Sequence, residues 1–135
     1  MPSYVAKKVA QFIIKKTHDV SRARVLVMGA TFKENVSDIR NSKVSDMVKE
    51  LHSFSLNVDV VDPFADSEEL QEEYGFGLCA QLGRDYDAII LAVSHEPYLQ
   101  LTEEYFLALA KPDALFADIK GVYRGKIGQL TYWSL

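Results

Sequence analysis

One cysteine in 135 residues leaves no internal disulfide, so Cys79 fits a reducing compartment. No apolar run approaches the roughly 18 to 20 residues needed to cross a bilayer. Residues 1–16, MPSYVAKKVAQFIIKK, intersperse lysine with apolar residues and so lack the apolar core of a secretory signal. These absences predict a cytoplasmic chain with no membrane association. Without secretion, the glycosylation triplet Asn35-Val36-Ser37 is a chance match. Positive charge is short as well. The net charge is -4 and no basic stripe exists, which argues against general nucleic-acid binding but leaves room for a local phosphate pocket. No His, Cys or carboxylate cluster has metal-ligand spacing, and His18 and His52 have no convergent partners. No G-x-G-x-x-G or P-loop motif is present.

What remains is an ordinary globular composition: 48% hydrophobic and 25% charged, enough to bury a core. No repeat, low-complexity tract or linker divides the chain. Over residues 3–18, Val5, Val9, Phe12 and Ile13 recur at helical spacing, with lysines elsewhere on the helix. Residues 24–28 are a short apolar run ending at Gly29, suited to a strand buried on both faces. A polar loop follows. Ser42 or Asn41 can cap the next helix, in which Val44, Met47, Val48 and Leu51 keep helical spacing. Residues 58–61 read as a strand stopped by Asp62-Pro63. Residues 67–74 read as a helix, with Ser67 as cap and Gly75 as stop. A strand over 88–93, a helix over 101–110 and a strand over 115–117 closed by Asp118 follow, and 130–133 suits an edge strand. Alternating strands and helices predict an α/β fold: a Rossmann-like layered sandwich with a mostly parallel sheet flanked by helices. Such sheets bind ligands at the carboxyl ends of their strands, beside helix N-termini.

The loop after the first strand, Gly29 to Ser42, sits where such a fold keeps its phosphate site. It has one glycine, so its backbone cannot wrap a pyrophosphate as a glycine-rich loop does. Two long cations, Lys33 and Arg40, seven positions apart, would do that work from side chains. Lysine serves as a mobile point charge and arginine as a bidentate fork. The alternative from composition alone is a solvated polar loop.

The run GATFKENVSDIRNSKVSDMVKEL, followed by NVDVVDP, resembles the signature G-x-[ST]-F-K-x-x-x-x-D-x-R-x-S, a helix, then V-x-x-x-DP. That signature opens the C-terminal domain of the UDP-glucose/GDP-mannose dehydrogenase family. YDAIILAVSH over 86–95 and ADIKG over 117–121 resemble two further motifs of the family, in order, so the resemblance spans nearly the whole chain. The A-V-x-H form leans toward the UDP-N-acetylmannosamine and UDP-N-acetylgalactosamine dehydrogenases. The resemblance implies that residues 1–20 are the end of the central linking and dimerisation helix, and 21–135 the nucleotide-sugar-binding domain. It implies that Lys33 contacts the UDP-sugar, that Phe32 helps form its pocket, and that Arg40 reaches NAD across an interdomain cleft. Lys120 stands near a basic position that often contacts the sugar nucleotide, though Lys120-Gly121 departs from the usual arginine. The implied reaction is an NAD-dependent oxidation of the sugar C6 alcohol to a carboxylate through a thiohemiacetal on a cysteine. Cys79, in Gly-Leu-Cys-Ala, lacks the family's G-G-x-C-x-P setting. The chain by itself is therefore expected to be inactive and to bind UDP weakly, needing the N-terminal and central domains of a homodimeric enzyme.

Other residues admit plainer readings. Asp38 could orient Arg40 or bond its own backbone in a turn. Asp62 stands 33 positions after Gly29, too far for the ribose-binding acid of a dinucleotide fold, which leaves a turn role. His95 at a strand end reads as a loop cap or a partner of a backbone group rather than a catalytic base. Cys79 reads as a small apolar residue, and Tyr132-Trp133 as buried aromatics rather than a base-stacking surface. Two other classes stay open: a stand-alone α/β regulatory module, for which Asp62 and Asp118 make too small an acidic cluster, and a protein-interaction module built on the first helix.

Overall fold

A computed structural model describes residues 2–17 and 19–135. The expected helix over 3–18 is α1, Pro2–Lys16, and His18 lies outside the described residues. After a 3-10 turn at Val20–Arg22 come β1 (Arg24–Met28), α2 (Lys43–Ser53), β2 (Asn57–Val61), α3 (Ser67–Tyr74) and β3 (Tyr86–Leu91). Then follow α4 (Glu96–Leu99), α5 (Glu103–Leu109), β4 (Ala110–Asp118) and β5 (Thr131–Ser134).

All five strands pair in parallel, in the order β2-β1-β3-β4-β5. The apolar runs of β1, β3 and β4 are continuous because both sheet faces are covered. Side chains alternate between the two layers. Val25, Val27, Ala88, Ile90, Leu115 and Ala117 join α1 and α2 in one core. Leu26, Met28, Ile89, Leu91 and Phe116 join Tyr98, Phe106, Leu109 and Tyr123 in the other. Helix α1 gives Val5, Ala6, Val9, Ala10 and Ile13 to the first core, so its inner face is a structural part of the same packing unit.

Several element ends differ from the sequence expectation. Asp66, not Ser67, caps α3 by accepting the Glu68 N–H at 2.9 Å. Ser67 instead accepts the Leu78 N–H and fastens the return after Gly75, which ends the helix in a left-handed conformation. The helix expected over 101–110 is shorter and is preceded by the single turn α4, with Pro97 in its first turn where no amide is needed. Strand β4 begins at Ala110, not 115. Its first residues are polar because they are exposed, which hid them from an apolar pattern. Cys79 is half-buried in a coil, its Sγ donating to the Gln81 carbonyl, and not in either core. Tyr132 stacks on Phe116 and donates to Asp118, and Trp133 is half-buried against Tyr4.

Candidate functional site

The chain leaves β1 toward β2 on one side and returns past β1 to β3 on the other. Loops that part in opposite directions at such a switch point leave a crevice beyond the carboxyl ends of the strands. A cleft of about 380 Å³ opens there, within the usual range for a small-molecule site. Thr31, Phe32 and Lys33 line it from the segment after β1, Ala92 and Val93 from the end of β3, and Ile119 and Lys120 from the end of β4. Asn41, Lys43, Val44 and Met47 close it from the start of α2.

Gly29 makes this junction possible. Its φ is 102°, and a Cβ there would lie 2.6 Å from the Val93 Cβ and 2.8 Å from the Val93 backbone nitrogen. No other residue lets the ends of β1 and β3 come so close.

The charged side chains of the cleft are of one sign. Lys33, Lys43 and Lys120 line it, with Leu135 beside them, and no Asp or Glu side chain does. Among the described residues these three lysines form no ion pair. Lys43 is the first residue of α2, after the Ser42 cap whose hydroxyl accepts the Val44 N–H. A cation there opposes the positive end of the helix dipole. Its neighbours Val44, Met47, Ala92 and Val93 are apolar. Three cations around an apolar floor suit an anion joined to a flat apolar group.

A buried pair behind the cleft holds the loop. His95 and Asp62 have fully buried side chains, with Nε2 2.9 Å from the Asp62 Oδ2. Oδ2 also accepts the Ala30 N–H at 2.7 Å, while Oδ1 accepts the N–H groups of Phe64 and Ala65. Burial pushes the Asp62 carboxyl up, but the bonds from His95, Ala30, Phe64 and Ala65 outweigh it and hold the group below its ordinary value. The turn role expected of Asp62 is present, and the pairing with His95 goes beyond it. His95 bonds a backbone group, as expected, accepting the Asn35 N–H on Nδ1 at 2.9 Å.

Phe32 is 55% exposed and stands at the cleft with Lys33 and Lys120. Arg40 is not among the lining residues. Its guanidinium folds back on Asp38 in a bidentate contact, both N–O distances 3.0 Å, and its own amide bonds the same carboxylate at 2.9 Å. Asp38 thus does both things open to it, orienting Arg40 and closing a turn. Lys33 shares the cleft with Lys43 and Lys120, while Arg40, expected to act with Lys33, is not among the lining residues and is tethered within its own turn. Lys43 went unnoticed in the sequence, where its signal is a lysine placed directly after a helix cap.

The loop offers little to a dinucleotide. The Gly29 amide donates to the Val61 carbonyl, Ala30 to Asp62, Phe32 to the Asp38 carbonyl and Asn35 to His95. These four amides are engaged and unavailable to a pyrophosphate, the loop has a single glycine, and the residues here do not fit an NAD site by themselves. Nor does an acidic phosphoacceptor pocket exist at these strand ends. Asp62 is committed, and Asp118 is buried, accepting the Val122 and Tyr123 amides and the Tyr132 hydroxyl. No group of three metal-ligating side chains occurs among the described residues, and no helix among them is long and apolar enough to cross a membrane.

Comparison with known proteins agrees with this geometry. The profile of the UDP-glucose/GDP-mannose dehydrogenase family, UDP-binding domain, matches residues 26–125. The UDP-N-acetyl-D-glucosamine 6-dehydrogenase of Salmonella typhi is 40% identical over 123 residues, and that of Pseudomonas aeruginosa 39% over 121. The alignments cover 90% and 89% of this chain and 29% of each relative, so the chain spans a minor part of their length. A solved UDP-N-acetyl-mannosamine dehydrogenase from Staphylococcus aureus shares the fold over 98% of this chain and 30% of its own, with a TM-score of 0.77 at 21% identity. The parallel sheet, the crevice at its switch point and the match over 26–125 lead to one assignment: the chain belongs to the UDP-glucose/GDP-mannose dehydrogenase family, as its UDP-binding domain.

Proposed function

We propose that the lysine-lined cleft binds the uridine diphosphate of a UDP-N-acetylhexosamine, and that the chain does so as the C-terminal domain of an NAD-dependent 6-dehydrogenase. The observation that carries this reading is the set of three lysines, without an Asp or Glu side chain, around one cleft at the switch point. Lys33, Lys43 and Lys120 meet the diphosphate as mobile point charges, and the Phe32 ring covers the pocket. Arg40, if released from Asp38, would be the residue of this chain that reaches an NAD held by the other domains. Taking the C6 alcohol through an aldehyde to a carboxylate would need two equivalents of NAD as hydride acceptor and one water. The thiol for that reaction belongs to the N-terminal and central domains of a homodimeric cytoplasmic enzyme, since Cys79 lies in a coil away from the cleft residues. The names of the relatives favour an N-acetylhexosamine over glucose.

Titration of the 15N-labelled chain with UDP tests the binding. A half-site should give a dissociation constant on the order of a millimolar, with shifts at residues 29–43, 92–93 and 119–120, weakened by Lys33→Ala. An unperturbed loop at saturating UDP rejects the site. The chain mixed with NAD and UDP-N-acetylglucosamine should form no NADH; any turnover rejects the assignment of the chemistry to other domains.

A further inference from the structure

His95 is fully buried, yet both ring nitrogens are engaged with the segment that carries Lys33. A backbone N–H can only donate, so the Asn35 amide at 2.9 Å requires a bare Nδ1. The ring proton then sits on Nε2, facing the Asp62 Oδ2 at 2.9 Å and the Thr31 Oγ1 at 3.1 Å. The Thr31 hydroxyl spends its own proton on the Lys33 carbonyl at 2.8 Å. The chain of donors is complete and runs one way: Asn35 to His95, His95 to Asp62 and Thr31, Thr31 to Lys33. The Asn35 side chain extends it, accepting the Glu96 amide at 2.8 Å. Phe64 and Tyr98 pack edge-on against the ring and leave it no freedom to turn. The segment 30–35 is thus stitched from inside at Ala30, Thr31, Lys33 and Asn35, while the Lys33 side chain stays exposed at the cleft.

We propose that His95 is a positioning residue for the anion site: as the neutral Nε2–H tautomer it fixes the segment 30–35, and through it the place of Lys33 in the cleft. Its consequence for UDP rests on the function proposed above; the tautomer and the ordering of the segment do not. A histidine that merely filled space would tolerate either amide replacement equally. The proposed role separates them. The Oδ1 of His95→Asn stands near the position of Nδ1 and can keep the Asn35 amide bonded. His95→Gln places its amide nitrogen near Nε2, keeps the contact to Asp62 and leaves the Asn35 N–H without its acceptor.

Ring 15N shifts of the wild-type chain should report a proton on Nε2 and none on Nδ1, and the Asn35 amide should exchange slowly although its residue is exposed. UDP binding should weaken about tenfold in His95→Gln, the worth of one hydrogen bond, and stay near wild type in His95→Asn, with the Lys33 amide shift displaced only in the Gln variant. A proton on Nδ1, fast exchange at Asn35, or equal UDP affinity in two folded variants overturns the proposal. Should either variant fail to fold, the ring tautomer and Asn35 exchange of the wild type decide. Should the wild type show no response to UDP, the binding reading falls, while the ring, the Asn35 amide and the Lys33 shift still judge His95.

Discussion

Replacing Lys43 by Gln should make the chain more stable alone and less stable, relative to wild type, in UDP. Gln and Lys have similar helix propensities, so the backbone term nearly cancels. Lys43 follows the Ser42 cap as the first residue of α2, and removing a cation from a helix N-terminus gains about 0.5 kcal/mol. If the same cation meets a phosphate at the mouth of the cleft, where water surrounds both, its loss costs about 1 kcal/mol at the dielectric of bulk water. That is about a fivefold weaker dissociation constant. At a UDP concentration ten times the wild-type constant, bound ligand stabilises wild type by about 1.4 kcal/mol and the variant by about 0.65 kcal/mol. The loss of about 0.75 kcal/mol exceeds the gain of about 0.5 kcal/mol, so the order of stabilities inverts. Urea unfolding with and without UDP reads both terms on one sample, and added salt should shrink both. A variant less stable than wild type without UDP, with an undiminished ligand-induced gain, would show that Lys43 is a structural surface residue and would refute the electrostatic account.

Three further outcomes follow from the same geometry. Gly29→Ala should cost about 3 kcal/mol, combining a strained backbone with overpacking against Val93, and should lower the melting temperature by about 10 °C. Gly128→Ala, whose Cβ would meet nothing within 4 Å, is the control, and equal effects would sink the close-packing argument. The Tyr86 phenol is pushed up to about 12 by burial and by its hydrogen bond to Asp59. Its folded value lies above its unfolded value of about 10, so the stability it contributes is intact below that pH and lost as pH rises toward 12. Tyr86→Phe should flatten this part of the alkaline unfolding curve, and an unchanged slope would contradict the assignment. Arg40→Ala should leave both UDP affinity and stability of the chain unchanged, because the exposed pair with Asp38 contributes little and lies outside the cleft; a marked loss of UDP binding would return Arg40 to the anion site.

What the sequence disclosed and what it hid divide along physical lines. Strands β1 and β3 were legible because burial on both faces leaves unbroken apolar runs. The start of β4 was not, since Lys111, Pro112 and Asp113 are exposed and carry no apolar pattern. Asp66 and Ser67 are both able caps, and only the three-dimensional return of Leu78 shows which does what. Lys33 was placed at the cleft by its position after β1, and Phe32 by the family resemblance alone. Arg40 was not, because spacing along a loop does not reveal that a guanidinium will turn back on a carboxylate two residues away. The Asp62–His95 pair joins positions 33 apart, and no local pattern records it.

The amide pattern explains why lysines stand where glycines stand in a dinucleotide loop. A glycine-rich loop holds phosphate with free backbone N–H groups and so must leave them unpaired before the ligand arrives. Here the amides of Gly29, Ala30, Phe32 and Asn35 are already bonded inside the protein. Those four amides are engaged before a pyrophosphate arrives, and they fix the backbone in advance. The adaptable part is then the lysine side chains, which reach from fixed anchor points and lose rotamer freedom only when an anion is bound. Such a site should bind diphosphate with a strong salt dependence and weak geometric selectivity. Discrimination among sugars then has to come from contacts beyond these lysines. Under the function proposed above, this domain would hold the common UDP moiety.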